Sequence, residues 1–256
     1  MSVKIFRSKP ENYPEKVALC GGSVLDKKLL MGTQKKRCEW VYDNLRSGII
    51  INTAIDYGEV VGQITALPIS NSPVELRGGD LWYIPCIWMR PRAASSRLSE
   101  QLVTSMVDDL AGKTDGIITL SSELWMNHRS FLERFGFFEM GKFCRVGTNV
   151  DIMALPLNGS EISIEIIERN PPRGIAPRLD FFYSPHCPVH TETAYRLTKE
   201  HKSLEHRVQL VVHNTNDRSA IERYGFSWAL LLNGECDILE RFLAGQTLES
   251  LLDSSL

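Results

Sequence analysis

Apolar residues recur along this chain with the spacings of strands and helices. Residues 49–55 and 60–69 are apolar runs of strand length, and Asp56-Tyr57-Gly58 between them predicts a hairpin. A third run, residues 81–89, is apolar on both faces and predicts a central strand, whereas Pro85 within it predicts an edge or a bulge. The clearest helix spans residues 98–110, whose apolar face consists of Leu98, Leu102, Val103, Met106, Val107 and Leu110.

Shorter elements complete the first part of the pattern. Thr33 predicts the start of a helix that runs to Leu45 and stops at Gly48. Residues 117–120 predict a strand that lies parallel to the central strand, because a helix connects the two. A short helix over residues 127–135 and two strands, FFEMGKFCRVG and DIMALPL, follow.

The pattern restarts after the polar stretch 157–160 and the loop-like stretch Asn170-Pro171-Pro172-Arg173-Gly174. Residues 161–168 alternate isoleucine with polar residues and predict a half-buried strand. Next come a strand (LDFFYS), a helix over 188–201, a strand (VQLVVH), a helix over 217–224, two strands (WALLL and CDILERF) and a final helix over 248–252. We therefore expect two domains, residues 1–157 and 158–256.

Composition narrows the class of protein. The chain is 43% hydrophobic and 23% charged with a net charge of −2, as in globular proteins, and it has no basic block of the kind that binds nucleic acid. Its apolar runs are shorter than a membrane helix, and its N-terminus lacks the apolar core of a signal peptide. We expect a cytoplasmic protein without a membrane partner, whose six scattered cysteines are mostly free thiols.

Two segments, LWYIPCIWMRPRAASSRLSEQLV and NHRSFLERFGFFEMG, resemble the GNAT acetyltransferases over roughly residues 3–157. The chain is similar to the YoaP-like branch of that family, whose members also carry a second C-terminal domain. The resemblance implies a mixed sheet flanked by helices and the use of acetyl-CoA. The expected fold class is therefore α/β, with a GNAT-like domain followed by a thioredoxin-like α/β domain.

In the family, the loop after the central strand wraps the pyrophosphate of acetyl-CoA at the start of the next helix, where unpaired N–H groups and a partial positive charge favour anions. Arg97 and Ser99 stand where the family has glycines. Either Arg97, together with Arg90 or Arg92, pairs with phosphate or the cofactor site is lost. The resemblance implies cofactor contacts at Ile87, Met89, Ala94, Ser95, Ser96, Arg97, Leu98, Ser99 and Asn127. Taken alone, Asn127 is better interpreted as a helix cap than as a cofactor contact, and Ser95 or Ser96 can cap the long helix.

Acetyl transfer to an amine requires a base. The family places it on or beside the central strand, which gives the candidates Glu123, His128, Tyr83 and Cys86. The tyrosine that commonly protonates the departing thiolate maps onto Leu132, which has no proton to give. Backbone amides at 87–89 are expected to polarise the acetyl carbonyl if the strand bulges there.

The segment LDFFYSPHCPVHTETAYRLTKE looks like the first strand and helix of a thioredoxin fold. Cys187 holds the first position of a redox motif, but His190 replaces the second cysteine, and Trp228 stands near the usual cis-proline. A dithiol mechanism needs a resolving thiol, so three readings remain: a reactive monothiol at Cys187, a thiol–metal module, or a remnant of an older site. We assign no metal ligands.

The leading hypothesis is therefore an N-acetyltransferase that moves acetyl from acetyl-CoA to a small-molecule or peptide amine. The alternatives are a non-catalytic acyl-CoA-binding or scaffold protein, and a protein whose active part is the thioredoxin-like half. A homodimer is left open.

Overall fold

The computed structural model describes residues 3–11, 27–90, 97–122, 127–174 and 177–255. The chain divides into two compact units. The N-terminal unit consists of Met1–Ser72, Arg77–Phe143 and Asn149–Glu165, and the C-terminal unit of Pro73–Leu76, Cys144–Thr148 and Ile166–Leu256. Each contains a mixed sheet with helices, so the predicted α/β class is confirmed.

The N-terminal unit is built on a seven-stranded sheet with the order β1-β2-β3-β5-β6-β8-β7. Its strands are β1 Lys4–Arg7, β2 Ile50–Asp56, β3 Glu59–Pro68, β5 Leu81–Met89, β6 Gly116–Ser121, β7 Phe138–Arg145 and β8 Thr148–Pro156. Its helices are α1 Lys27–Arg46, α2 Leu98–Leu110 and α3 Arg129–Glu133. β5 is antiparallel to β3 and parallel to β6, which confirms its predicted central place. Two short strands, β4 Leu76–Gly78 and β9 Ile164–Ile166, pair with each other.

The predicted hairpin joins β2 to β3. Tyr57 and Gly58 form its turn with φ of 48° and 78°. Two successive residues at positive φ match the right-handed twist of the flanking strands, and glycine adopts this conformation without a Cβ clash.

Helix α2 covers one face of the N-terminal sheet. Its buried stripe packs on an apolar core that includes Ile50, Ala54, Ile64, Ile84 and Ile117. The amide of Asn52 is also buried on this face and donates to Ser105 Oγ at 3.0 Å and to Asp109 Oδ2 at 2.9 Å. Apolar burial provides most of the docking free energy, and the two hydrogen bonds fix the position of the helix on the sheet.

The C-terminal unit contains a four-stranded sheet with the order β11-β10-β12-β13. Its strands are β10 Arg178–Tyr183, β11 Gln209–Asn214, β12 Ala229–Leu232 and β13 Cys236–Asp237, and its helices are α4 Pro188–His201, α5 Arg218–Tyr224, α6 Leu239–Leu243 and α7 Leu248–Ser255. β10 is parallel to β11 and antiparallel to β12. A core containing Phe181, Leu197, Leu230, Phe242 and Leu251 holds these elements together.

Three sequence predictions were wrong. The first helix begins at Lys27 rather than at Thr33, because good helix formers precede the hydroxyl residue. The segment CDILERF is a strand only at Cys236–Asp237, since the Asp237 carboxylate accepts the Leu239 N–H at 3.0 Å and a helix follows. Residues 161–168 form a strand only over Ile164–Ile166.

In the described part of the chain, none of the helices combines the length and the apolar character that crossing a bilayer requires.

Candidate functional site

Strands β5 and β6 stay paired over only part of their lengths. Their parallel register runs from Leu81↔Gly116 to Ile84↔Thr119, although β5 continues to Met89 and β6 to Ser121. Beyond this point, within the part of the chain that the structure describes, β5 is paired only with β3 on its other side. The two strands therefore separate within the sheet. We call the gap between residues 85–89 of β5 and residues 120–122 the fork.

Pro85 explains why the strands separate at this position. Proline has no N–H to give to a ladder, and the pairing of β5 with β3 shifts register between Thr65 and Leu67. Ile84 and Ile87 both belong to the apolar core under α2, although residues three apart on a regular strand face opposite sides. The predicted bulge at Pro85 is thus confirmed.

Main-chain groups of β5 face the fork. Arg90 N–H donates to Val61 O at 2.9 Å, which directs the Arg90 amide toward β3. Backbone groups alternate sides along a strand, so Trp88 also faces β3, whereas Ile87 and Met89 direct their N–H and C=O groups away from it. Among the described residues, no strand pairs with that side of Ile87 and Met89.

Thr119 closes the inner end of the fork. Its hydroxyl donates to Ile84 O at 2.8 Å and accepts from Asn127 Nδ2 at 3.2 Å. Asn127 is buried, and the N-cap of α3 is His128, whose side chain makes no capping bond. The interpretation of Asn127 as a cap was therefore wrong. Its amide supports Thr119 instead.

Helix α2 begins with an unusual backbone conformation. Arg97, its N-cap, has φ of 59° and ψ of 9°, in the left-handed region that favours glycine. Arg97 therefore adopts a backbone conformation that glycine adopts without a Cβ clash. The Arg97 side chain is exposed and makes no capping bond, and the N–H groups of the first helical turn have no partner within the helix.

Gly62 on β3 brings the start of α2 next to the end of β5. A Cβ at Gly62 would lie 2.9 Å from Leu102 Cδ1, 3.3 Å from Met89 Cγ and 3.4 Å from Leu98 Cδ2. Met89 and Leu98 therefore meet over the same glycine. The end of β5 at Met89 therefore lies close to the first turn of α2 at Leu98.

The other predicted site residues are distributed as follows. Tyr83 is buried at 3% exposure, the Cys86 side chain is half-buried, and His128 is exposed. Leu98 is buried against the sheet and Ser99 is half-buried in the first turn of α2. Four candidates lie outside the described residues: Glu123, Ala94, Ser95 and Ser96.

In the C-terminal unit, Cys187 is the N-cap of α4 and its side chain is half-buried. His190 lies in the first turn of the same helix and stacks on Trp228 with ring centroids 4.1 Å apart. The Ser184 N–H donates to His190 Nδ1 at 3.4 Å. Burial, followed by the charges of His186 and Arg145, holds the pKa of His190 well below its usual range. His190 is therefore a neutral, enclosed imidazole.

Glu75 connects residues that are distant in sequence within the C-terminal unit. It is 3% exposed, and its Oε1 accepts from the amide of Ser227 at 2.9 Å and from the hydroxyl of Ser227 at 2.7 Å. Arg145 donates to the same hydroxyl and lies 3.7 Å from Glu75. Because Trp228 follows Ser227, this buried group fixes the backbone that carries the ring stacked on His190.

Sequence reasoning did not identify Thr119, Glu75 or the ion pair around Asp180. Asp180 is fully buried and accepts from Arg178 at 2.6 and 2.8 Å and from His213 Nε2 at 2.7 Å. Burial raises its pKa, but the hydrogen bonds from His213 and Arg178 outweigh burial and leave the pKa below its ordinary value. The sequence did contain a signal for this ion pair. Arg178 and Asp180 have opposite charges and are two positions apart, so they lie on the same face of a strand.

Among the described residues, no three His, Cys, Asp or Glu side chains converge in a way that would hold a metal ion.

Comparison of the sequence with protein-family models and with curated proteins gives no match. Similar solved structures include an N-acetyltransferase from Staphylococcus aureus, with 16% identity over 62% of this chain and 100% of that chain and a TM-score of 0.48. PaiA N-acetyltransferase from Thermoplasma acidophilum, solved with coenzyme A, has 13% identity over 61% and 99% of the two chains and a TM-score of 0.46. A chain from Desulfovibrio desulfuricans, assigned as a GNAT-family acetyltransferase, has 17% identity over 60% and 99% and a TM-score of 0.47. At this level, the similarities do not by themselves assign a reaction to this protein.

Proposed function

We propose that the N-terminal unit transfers an acetyl group from acetyl-CoA to the amine of a small molecule or a peptide. The fork carries the proposal, because β5 continues to Met89 after its last pairing with β6 at Ile84. A strand edge with free N–H and C=O groups binds an extended chain that carries amides. The pantetheine arm of CoA is such a chain, and Ile87 and Met89 are the residues that would pair with it.

The start of α2 fits the phosphate end of the same ligand. Unpaired amides at a helix N-terminus, at Leu98 and Ser99, favour a diphosphate without any special side chain. The exposed guanidinium of Arg97 is available for charge-assisted hydrogen bonds to phosphate. The Arg97 side chain is exposed and its backbone has a left-handed conformation. This geometry supports pairing of Arg97 with phosphate rather than blocking of the site by its side chain.

The chemistry that follows is acyl transfer. Acetyl-CoA supplies an activated thioester. The Ile87 N–H would polarise its carbonyl oxygen and stabilise the oxyanion that forms when an amine attacks, while the Met89 N–H pairs with the pantetheine arm. The amine must lose one proton and the departing thiolate must gain one, which gives an amide and a free thiol.

We propose four candidate residues for the first of these proton transfers. Tyr83, Cys86, His128 and Glu123 are the candidate bases, acting directly or through water. Leu132 is 1% exposed in the apolar core and has no acidic group, so the thiolate proton must come from another residue or from solvent.

For the C-terminal unit we propose a thioredoxin-like fold without dithiol chemistry. The sheet order β11-β10-β12-β13, with a single parallel pair, supports the fold. The enclosed, neutral His190 at the position of the resolving cysteine argues against a redox couple. Cys187 alone retains the helix N-terminal position that favours a thiolate.

Isothermal titration calorimetry with acetyl-CoA and with CoA tests the transferase proposal. We expect one site per chain, and Arg97→Ala should weaken binding by about tenfold because it removes charge-assisted hydrogen bonds. Arg173→Ala, at an exposed arginine of the C-terminal unit, is the matched control and should bind as wild type does. Absence of binding at millimolar ligand would refute the proposal.

A further inference from the structure

The two faces of the N-terminal sheet differ in polarity. The face under α2 carries the apolar core, whereas the opposite face carries Thr53, Gln63 and Thr65, none more than 3% exposed. Arg37 of α1 donates to Gln63 Oε1 at 3.3 Å, so this second face lies against α1. We call it the α1 face. Polar side chains are buried at a cost unless they bond to each other or to a ligand.

Ser122 follows β6 directly and borders the fork. Ile117 belongs to the core under α2, so the alternation of a strand places even-numbered residues of β6 on the α1 face. Continued by one residue, the alternation places Ser122 there too. On β5, Cys86 lies opposite Thr65 in the register and shares that face. Ser122 and Cys86 therefore border the fork from its two sides.

The hydroxyl of Ser122 is buried and unsatisfied. Ser122 is 9% exposed, and its Oγ has no hydrogen-bond partner in the part of the chain that the structure describes. Leaving a buried hydroxyl unpaired costs about 1–3 kcal/mol. Alanine at this position would avoid this cost. The serine therefore points to a ligand that bonds to its hydroxyl.

We propose that Ser122 binds the acceptor amine of the acyl transfer, and that the acceptor reaches the fork from the α1 face. The proposal rests on the transferase function above and adds its acceptor site. The Ser122 oxygen accepts a hydrogen bond from the N–H of the attacking amine, opposite the Ile87 amide that holds the carbonyl oxygen. Thr53 and Gln63 on this face bond to each other and to Ser8 and Arg37, so Ser122 is the group that we assign to the acceptor.

Two stable CoA thioethers test the contact without knowledge of the natural acceptor. S-(N-methylcarbamoylmethyl)-CoA carries an amide N–H where the amine nitrogen would be, and S-(2-oxobutyl)-CoA carries a CH2 group there instead. Wild type should bind the amide probe roughly fivefold more tightly than the oxobutyl probe, as one net hydrogen bond implies. Ser122→Ala should bind both probes equally and should unfold at no lower denaturant concentration than wild type.

Ser121→Ala is the matched control, because Ser121 is also buried, at 1% exposure, but faces the other side of the sheet. It should keep the preference for the amide probe. If wild type binds both probes equally, or if Ser122→Ala keeps the preference, the assignment of Ser122 is wrong while the transferase proposal stands. If neither probe nor CoA binds wild type, both proposals fall.

Discussion

The hydroxyl of Thr119 donates a hydrogen bond to the carbonyl oxygen of Ile84, 2.8 Å away, at the last position where β5 and β6 are paired. Asn127 in turn donates to the Thr119 oxygen at 3.2 Å. One side chain therefore satisfies a main-chain acceptor and a side-chain donor where the ladder ends. It holds the inner end of the fork together while the outer end stays open.

Thr119→Val should lower the free energy of unfolding by about 1–3 kcal/mol, because it leaves the Ile84 carbonyl and the Asn127 amide buried without partners. Thr119→Ser keeps the hydroxyl and is the control for the change of side-chain shape. Denaturant unfolding at equilibrium measures both. A valine variant as stable as wild type would show that the hydrogen bonds do not contribute to the stability of this region.

Arg97→Gly should raise the free energy of unfolding by about 0.5–1 kcal/mol, because a non-glycine residue at φ of 59° carries a steric penalty of about 1–2 kcal/mol that glycine's greater chain entropy only partly offsets. Arg97→Ala removes the same charge but keeps a Cβ, so it should show no such gain. Equal stabilities of the two variants would contradict the left-handed conformation at Arg97.

The predicted elements follow local patterns, and most of them form. The stripe from Leu98 to Leu110 makes α2, the glycine after Tyr57 closes the hairpin, and Pro85 makes the bulge that opens the fork. These features depend on neighbours in sequence. The predicted start of the first helix was wrong because a hydroxyl residue that can cap a helix, Thr33, does not interrupt a favourable helical run.

The remaining features depend on contacts between distant residues. Nothing near Glu75 in sequence indicates that it binds Ser227, which is 152 positions away. The partners of Thr119 likewise become visible only once β5 and β6 are in register. The expected boundary after residue 157 rested on the composition of loops, and it assigned to the N-terminal domain two segments, Pro73–Leu76 and Cys144–Thr148, that pack within the C-terminal unit.

Glu75→Ala should destabilise the C-terminal unit by about 3–5 kcal/mol, because it leaves Ser227 without its acceptor and Arg145 without a buried opposite charge. Glu165→Ala removes the exposed partner of Arg77 and should cost less than about 1 kcal/mol. Hydrogen exchange of peptides that contain β10 and β12 reports on the unit directly. Equal protection in both variants would mean that Pro73–Leu76 does not stabilise this unit.

Acidification should weaken the C-terminal unit through His190. Its pKa is lowered in the folded state, so the unfolded chain binds the proton more readily, and stability falls as pH drops below about 6.5. The slope contributed by this residue is at most about 1.4 kcal/mol per pH unit. His190→Gln should flatten the pH dependence of unfolding between about pH 7 and about pH 5, and the same exchange at the exposed His206 controls for loss of an imidazole. An unchanged slope in His190→Gln would contradict a buried, neutral His190.

The most direct test of the account is a titration of 15N-labelled protein with CoA, followed by amide NMR. If the open edge of β5 and the start of α2 hold the coenzyme, the amide signals of Ile87, Met89, Leu98 and Ser99 should shift together with one saturable dissociation constant. Shifts confined to the Cys187 end of α4, or no shift up to millimolar CoA, would contradict it.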